Sequence, residues 1–367
     1  MKRVHNARRK DTTKRARRER GFLAGAIGAA LLATLACGTD VSLGVLATGG
    51  GTRAPSVDAA RSDASDAGAA GDEGGSDACA PGSCDVIASG LVGARYLAVD
   101  DRSVYWAETG HAGTVADPNP VSRVAKAGGA AVVLNSDGGE PRGLRVVGEL
   151  VVWSRVSGTQ ATVLRASRTD GSAKTVVGFN AQAGGLAGLD TDGVDVAVGN
   201  GTDVRMYPLS GGAIGGTAIT VAAQHVVGVA LGATEVFIAD RIANQVAYVP
   251  RSGGLPVALG AVTAPRDLIR DNDILFVATD ASLEVRPTLV GSDAGAPTLA
   301  TDPIVGVASD GGSVYYTTGG ALKRLSRGGT GGSTTLASLQ GAPGPVVVDG
   351  LFAYFVDGTT IRRVAKN

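Results

Sequence analysis

The sequence predicts an all-β fold, and within that class a β-propeller of seven four-stranded blades over residues 85–367. One strand-turn-strand unit recurs seven times in this region, and the last copy lacks a strand that the beginning of the region can supply. Composition agrees, since glycine accounts for 56 of 367 residues and methionine for only two. Such a composition favours many short strands joined by tight turns over long helices.

Each repeat consists of an apolar strand, a turn rich in Asp and Gly, and a second strand that is often aromatic, as in Arg95–Trp106 and Val305–Tyr316. The third residues of the seven copies are separated by 47, 45, 40, 39, 39 and 39 positions: Leu97, Leu144, Leu189, Val229, Leu268, Val307 and Val346. A step of about 40 residues is the period of a propeller blade. Two further strand-like runs follow every hairpin except the last, which completes four strands per repeat.

The ends of the repeat region complement each other. The seventh repeat stops after its third strand, Thr360–Ala365, while Asp85–Ser89 resembles the outer strand Thr335–Ser338 of the sixth repeat. We expect the N-terminal strand to complete the last blade and close the ring, because closure removes exposed strand edges. The third repeat has lost its aromatic residues at Val194–Ala197, which leaves six blades as the alternative.

The Val-Tyr-Trp run at 104–106 and the Val-Tyr-Tyr run at 314–316 each follow an Ala-Val-Asp or Ala-Ser-Asp turn. These hairpins resemble the superfamily of YWTD, NHL and TolB-like propellers across nearly all of residues 85–367. The resemblance implies a binding or scaffold role more often than catalysis. No functional residue of that superfamily falls on a matching position here.

The N-terminus reads as an export signal over residues 1–36. A head with ten Lys or Arg residues is followed by the apolar run Gly21–Ala36 and by Cys37. The segment Thr34-Leu35-Ala36-Cys37 resembles a bacterial lipoprotein signal, in which the cysteine is lipidated, although that family usually has Leu where Thr34 stands. An uncleaved membrane anchor is the alternative, and both interpretations export the remaining chain to the cell envelope.

Residues 37–84 are predicted to be a disordered tether rich in Gly, Ala, Ser and Asp, with too few apolar groups to form a core. Cys79 and Cys84 lie at its end, and in an oxidising compartment we expect them to form a disulfide. A metal site at this pair lacks further ligands, since none of the three histidines is nearby in sequence.

Net charge argues against nucleic acid as a partner. Removing the ten basic and two acidic residues of positions 1–36 from the totals of 34 and 34 leaves 24 basic and 32 acidic residues, a net charge of −8. Phosphate binding needs a basic face and stacking groups, and aromatic residues are only 4% of the chain. We expect a monomer attached to a membrane by its N-terminus.

Few residues suggest catalysis or cofactor binding. His111 lies in a long insertion and His225 in a connection, so both are interpreted as loop residues. Asp190, Asp192 and Asp195 could suggest calcium, but turn chemistry explains them without a metal. We therefore predict no cofactor and no metal site.

One set of residues remains as a candidate binding site: Arg95, Arg142 and Arg266 open the inner strands of three repeats. Equivalent positions converge at one end of a propeller channel, where guanidinium groups could bind a carboxylate, a phosphate or an acidic glycan. Alternatively, each arginine pairs with a neighbouring acid such as Asp267. The sequence thus favours a non-enzymatic module that binds a protein or a glycan, with a lyase or lactonase of the propeller type as the alternative.

Overall fold

The computed structural model describes residues 84–114, 117–169, 171–182, 185–211, 217–219, 223–289 and 297–366. These residues form 28 strands in seven four-stranded sheets, and the paired strands within each sheet are antiparallel. The predicted β-propeller is confirmed, with seven blades rather than six. The export signal, Cys37, Cys79 and nearly all of the tether lie outside the described residues.

Every blade begins with its innermost strand. The seven inner strands are β2 (Ala94–Val99), β6 (Glu140–Val147), β10 (Leu186–Thr191), β14 (Val226–Leu231), β18 (Pro265–Asp271), β22 (Gly306–Ser309) and β26 (Pro343–Val348). Each inner strand contacts the inner strand of the next blade, and the last contacts the first, so they form a closed ring around a central axis.

The second and third strands carry most of the core. The second strands are β3 (Ser103–Glu108), β7 (Leu150–Ser157), β11 (Asp195–Asn200), β15 (Glu235–Asp240), β19 (Ile274–Thr279), β23 (Ser313–Thr318) and β27 (Phe352–Asp357). The third strands are β4 (Val121–Ala125), β8 (Gln160–Ser167), β12 (Asp203–Pro208), β16 (Gln245–Pro250), β20 (Leu283–Pro287), β24 (Ala321–Ser326) and β28 (Thr360–Ala365). The outer strands are β5 (Val132–Asn135), β9 (Ala173–Asn180), β13 (Thr217–Ile219), β17 (Val257–Ala261), β21 (Thr298–Ala300), β25 (Thr334–Ser338) and β1 (Asp85–Ala88).

Hydrophobic side chains pack between neighbouring blades. Seven buried clusters are found among the described residues, and each combines residues of two adjacent blades. In β3, Tyr105 faces blade 2 and packs with Trp153, whereas Trp106 faces blade 7 and packs with Tyr354. Successive side chains point to opposite faces of a strand. Because both faces of a blade are covered by its neighbours, the second strands are apolar at nearly every position.

The third blade is complete although its second strand contains only small aliphatic residues. Val196 and Val198 pack toward blade 2, and Ala197 packs toward blade 4. Aromatic packing at this interface comes from other strands, since Phe179 of β9 and Tyr207 of β12 stack with ring centroids 5.5 Å apart. The missing aromatic residues therefore did not signal a missing blade.

The ring closes through the two ends of the repeat region, as the sequence predicted. Strand β1 pairs antiparallel with β28, with Asp85 opposite Arg363. An ion pair reinforces this register, because Arg363 Nη2 lies 2.7 Å from Asp85 Oδ2. Cys84 packs against the cluster between blades 6 and 7; its disulfide with Cys79 stays a prediction.

Candidate functional site

Glycine at the second position of the repeat brings the inner strands close together. A Cβ placed on Gly143 would lie 2.6 Å from Leu189 Cβ of the next blade, and one on Gly228 would lie 2.8 Å from the backbone nitrogen of Leu268. The same close approach occurs at two further interfaces, through Gly188 and Gly306. No side chain fits at these four positions without a shift of the neighbouring strand.

Three blades carry a side chain at this position: Tyr96 in blade 1, Asp267 in blade 5 and Pro345 in blade 7. The inner strands contact each other most sparsely at the three interfaces that follow these residues. The charge of Asp267 acts on the Tyr96 phenol although blades 1 and 5 lie on opposite sides of the ring. Tyr96 is partly buried against the cluster between blades 1 and 2, and Asp267 is partly exposed.

The three predicted arginines occupy equivalent positions at one end of this channel, which we call the entry face because the inner strands begin there. Arg95, Arg142 and Arg266 are each the unpaired residue at a register shift between the inner and second strands of blades 1, 2 and 5. An extra residue of this kind is a β-bulge, which redirects a side chain out of the regular alternation. The bulges thus explain how all three guanidinium groups come to lie at the entry face.

The partners of these arginines differ. Arg95 is exposed and, within the described ranges, forms no ion pair. Arg142 is half-buried, with Nη2 2.6 Å from Glu140 Oε2, and its buried Nε has no hydrogen-bond partner. Arg266 Nε lies 3.4 Å from Asp280 Oδ1, so its acidic partner is Asp280 rather than Asp267.

Arg95 and Arg142 act on the same side chain, whereas Arg266 does not. The charges of both Arg95 and Arg142 act on the Tyr96 phenol from adjacent blades, and Arg266 makes no such contribution. Burial is the largest influence on Tyr96 and raises its pKa above the ordinary value, while the two arginines lower it. The structure therefore has two guanidinium groups whose charges act on one partly buried phenol.

A second charged pair lies deeper in the channel. Arg145 Nε of blade 2 is 3.3 Å from Asp190 Oδ1 of blade 3, and Asp190 Oδ2 accepts a hydrogen bond from the Leu231 backbone at 2.8 Å. Both residues are only partly exposed. Each charge in this pair is therefore compensated by the other.

Asp267 has no such compensation. In the described part of the chain it forms no ion pair, and its only hydrogen bond comes from the Leu268 backbone to Oδ1 at 2.8 Å. Burial raises the pKa of Asp267, Arg145 and the Leu268 N–H act in the opposite direction, and the charge of Asp190 adds to the rise. The carboxyl group is thus a partly exposed acid without an ion-pair partner among the described residues.

Four inner-strand residues were not predicted from the sequence as part of this region: Tyr96, Asp267, Arg145 and Asp190. The repeat alignment contained the signal, because the second column is glycine in four of the seven copies and Tyr96 and Asp267 stand where glycine is the rule. Only the structure shows that glycine is required there by the neighbouring strand.

Ion pairs join neighbouring blades at the opposite end of the channel, which we call the turn face. A Lys or Arg that follows the third strand pairs with an Asp in the first hairpin turn of the preceding blade. The five pairs found among the described residues are Lys126–Asp349, Arg168–Asp100, Arg251–Asp192, Arg327–Asp271 and Lys366–Asp310. Where the turn has no equivalent Asp, at Gly148 and Gly232, the next blade has Leu209 or Thr288 in place of the cation.

Asp349 shows how such a turn is built. Its Oδ1 accepts hydrogen bonds from the backbone N–H groups of Leu351 and Phe352, and its Oδ2 accepts from Tyr354 Oη at 3.0 Å and Lys126 Nζ at 2.6 Å. Burial raises the pKa of Asp349, but these bonds and the Lys126 charge outweigh it and hold the pKa below its ordinary value. The tyrosine of the repeat motif therefore serves the turn as well as the core.

His111 lies in a loop, as predicted, but both of its ring nitrogens have hydrogen-bond partners. Its Nε2 lies 3.0 Å from Glu108 Oε2 and its Nδ1 lies 3.0 Å from Asp117 Oδ1. The bond to Glu108 is the largest influence on its pKa, which is raised above the ordinary value; burial opposes this rise and Asp117 adds to it. Since both ring nitrogens are bound to carboxylates, the side chain anchors the insertion that follows β3.

The other residues considered for metal binding have structural partners. Asp190 pairs with Arg145, and Asp192 and Asp195 both approach Arg251. Within the described ranges, no group of three or more His, Cys, Asp or Glu side chains is arranged to hold a metal ion. The same residues contain no helix long and apolar enough to cross a membrane.

No protein-family model matches the sequence, and no curated protein matches it significantly. Among solved structures, it is similar to a catalytically inactive histidine variant of virginiamycin B lyase from Staphylococcus aureus with quinupristin, at a TM-score of 0.62 and 12% identity, covering 77% of this chain and 98% of that one. It is also similar to BamB from Moraxella catarrhalis, at a TM-score of 0.52 and 14% identity, covering 75% of this chain and 84% of that one. A chain of the mitotic checkpoint complex is similar at a TM-score of 0.59 and 9% identity, covering 85% of this chain and 98% of that one. At these identities the likeness shows the fold alone: the described chain is a seven-bladed β-propeller.

Proposed function

We propose that this chain is a cell-envelope lipoprotein whose propeller is a non-enzymatic binding module. The proposed site is the entry face, where Arg95 and Arg142 receive a carboxylate or another anionic group of a protein or a glycan. The observation that carries the proposal is that Arg95 lacks an acidic partner in the described ranges, while Arg142 occupies the equivalent bulge of the adjacent blade.

Physical chemistry supports an anionic ligand at this position. A guanidinium group offers several N–H donors in a planar fork, which suits carboxylate oxygens. The Arg142 side chain is 34% exposed, so part of its guanidinium group is accessible to a ligand. Beyond residue 36 the chain has a net charge of −8, so an anionic ligand needs a local group of positive charges such as this one.

The structural neighbours are consistent with binding but do not identify a ligand. The checkpoint-complex chain belongs to a protein assembly, and BamB shares the propeller fold. The envelope location rests on the predicted signal and on Cys37. We expect Cys37→Ala to release the protein from the membrane fraction, and retention there would favour an uncleaved anchor.

The binding proposal is tested by calorimetric titration with an acetylated pentaglutamate peptide and with a galacturonate trimer. We expect at least one probe to bind, and binding to fall more than about tenfold when Arg95, Arg142 and Arg266 are all replaced by Glu, a loss of about 1.4 kcal/mol or more. Arg102→Glu is the control, since that side chain is 75% exposed on the turn face. Equal binding by the triple variant would eliminate the entry-face site.

A lyase is the second candidate because one neighbour is a lyase with a catalytically inactive histidine variant. His111 lies in the insertion next to the entry face, but each of its ring nitrogens is held by a carboxylate. A histidine acting as a base would have to leave one of these partners first. Continuous heat release without saturation during titration, abolished by His111→Ala, would favour the enzyme over the binding module.

A further inference from the structure

The insertion that follows β3 contacts the chain just before both of the strands that carry the proposed arginines. On the side of blade 1, its backbone donates to Gly93 O at 3.1 Å, two residues before Arg95. On the side of blade 2, Gly113 O accepts a hydrogen bond from the Gly139 N–H at 2.8 Å, three residues before Arg142. The insertion therefore links the beginnings of β2 and β6 at the entry face.

This link matters because the inner strands approach each other less closely at this interface. Blade 1 has Tyr96 at the position where four other blades have a glycine that packs against the next inner strand. At those four interfaces, direct backbone contact fixes one inner strand against the next. Between blades 1 and 2 the insertion supplies backbone hydrogen bonds instead, so the relative placement of Arg95 and Arg142 depends on it.

His111 holds the insertion between two carboxylates, an arrangement that we call the His111 bridge. Its Nε2 lies 3.0 Å from Glu108 Oε2, and its Nδ1 lies 3.0 Å from Asp117 Oδ1. A neutral imidazole has one N–H group and can donate to only one of these oxygens, whereas an imidazolium donates to both. The bridge is therefore complete only when the ring is protonated.

The two carboxylates of the bridge differ in how firmly they are held. Glu108 is buried and accepts hydrogen bonds from Trp106 Nε1 and from the Val92 backbone, each at 2.9 Å. Asp117 is 55% exposed and belongs to the insertion itself. Because Glu108 keeps its other partners, loss of the ring proton releases Asp117. The contact between the insertion and blade 2 is then weakened.

Few other charges act on the bridge. His111 and Asp117 are the titratable residues of the insertion, and Glu108 is the charged residue at the end of β3. Glu108 and Asp117 both raise the pKa of His111, and burial opposes them. Beside the insertion, the charged residues of blade 2 pair with one another: Asp137 with Arg155, and Glu140 with Arg142. The proton on His111 thus determines whether the bridge forms.

From these contacts we infer that the His111 bridge regulates the entry-face site, because protonation of His111 holds the insertion and thereby keeps Arg95 and Arg142 in the arrangement that binds an anionic ligand. The inference rests on the proposed function and adds control by pH to it. His111 is a positioning residue that acts through the insertion. Binding is strongest below the ordinary pKa of a histidine and weakens as the pH rises through the raised pKa of His111.

The inference is tested by calorimetric titration of the full chain with the acetylated pentaglutamate peptide and the galacturonate trimer. The titrations are run at about pH 6 and about pH 9, where carboxylate and guanidinium groups keep their charges. We expect binding to be at least about fivefold weaker at the higher pH. His111→Gln should bind equally at both, whereas the matched control His225→Gln should keep the pH dependence of the unmodified protein.

Asp117→Asn separates the bridge from a direct effect of the positive charge on the ligand. An amide can accept from the imidazolium or donate to the neutral ring, so the bridge of this variant no longer needs the proton. The difference in affinity between the two pH values should fall below about twofold. Asp101→Asn on the turn face is the matched control, since Asp101 is also 55% exposed. A pH dependence that survives Asp117→Asn intact would overturn the inference.

Tryptophan fluorescence gives a readout that needs no ligand. Trp106 shares the Glu108 carboxylate with His111, and in Trp153→Phe it is the remaining tryptophan of the chain. We expect its emission to change as His111 loses its proton and this change to disappear when His111→Gln is added. Emission that follows pH in the same way with and without His111 would contradict a bridge controlled by the proton.

The outcomes distinguish the inference from the proposed function. Equal affinities at the two pH values, or a pH dependence that persists in His111→Gln, would overturn the inference and leave anion binding intact. If neither acidic probe binds at either pH, the proposed function fails and its control by pH fails with it.

Discussion

Gly228→Ala tests the idea that close approach of the inner strands holds the ring together. The added Cβ would lie 2.8 Å from both the Cβ and the backbone nitrogen of Leu268 in the next blade. Since Leu268 is fully buried in the core between blades 4 and 5, its backbone cannot move away without disturbing that packing. Overpacking of this kind costs about 1–3 kcal/mol.

The substitution also has a favourable component, because alanine restricts the unfolded chain and stabilises a protein by about 0.4–1 kcal/mol where the backbone permits it. Taking both effects, we expect a net loss of about 1–2 kcal/mol in the free energy of unfolding. The assay is urea denaturation followed by the fluorescence of the buried Trp106 and Trp153.

Gly320→Ala is the matched control for this measurement. No atom lies within 4 Å of a Cβ built on Gly320, and its φ is not in the left-handed region. We expect this variant to be unchanged or slightly more stable. If Gly228→Ala were as stable as Gly320→Ala, the inner strands would not be as close as described and the reasoning from the glycine column would be refuted.

Two further predictions concern ion pairs. Lys126→Met should lower the free energy of unfolding by about 1–3 kcal/mol, because it removes a charged hydrogen bond that joins blades 1 and 7 and is four-fifths buried on both sides. The exposed control Arg102→Met should change it by less than about 0.5 kcal/mol, and a double-mutant cycle with Asp349→Asn should show coupling; additive effects would contradict a direct pair. His111 has a raised pKa, so its contribution to stability is complete below its ordinary pKa of 6.5 and is lost as the pH rises through the raised value. The urea midpoints of the protein and of His111→Gln should therefore converge from about pH 6 upward, and a constant difference would argue against the paired imidazolium.

The turn-face ion pairs give the propeller a second system of contacts between blades. Hydrophobic clusters hold adjacent blades together along their faces, whereas the pairs join the hairpin turn of one blade to the third strand of the next. A pair that is partly buried and shares its carboxylate with a tyrosine and two backbone N–H groups is worth more than an exposed pair. The pair Lys126–Asp349 has a particular place, because it spans the point where the two ends of the repeat region meet.

Much of the fold could be predicted because the same strand-turn-strand unit recurs several times in the sequence. The spacing of Leu97, Leu144 and the later anchors determined the number of strands per unit, and the incomplete seventh repeat determined how the ring closes. The weak third repeat was harder to interpret. Phe179 and Tyr207 replace its missing aromatic packing, and both lie outside the recurring hairpin of the motif. Their role depends on contacts between blades that have no fixed spacing in sequence.

Less of the entry-face site than of the fold could be predicted from the sequence. The sequence by itself determined that Arg95, Arg142 and Arg266 occupy the same place in their blades, because position within a repeat is a property of the alignment. Only the tertiary structure decided that the charges of Arg95 and Arg142 act on one phenol and that Arg266 pairs with Asp280. The physical reason is that charge compensation depends on distances between side chains of different strands and blades, which position within the repeat does not determine.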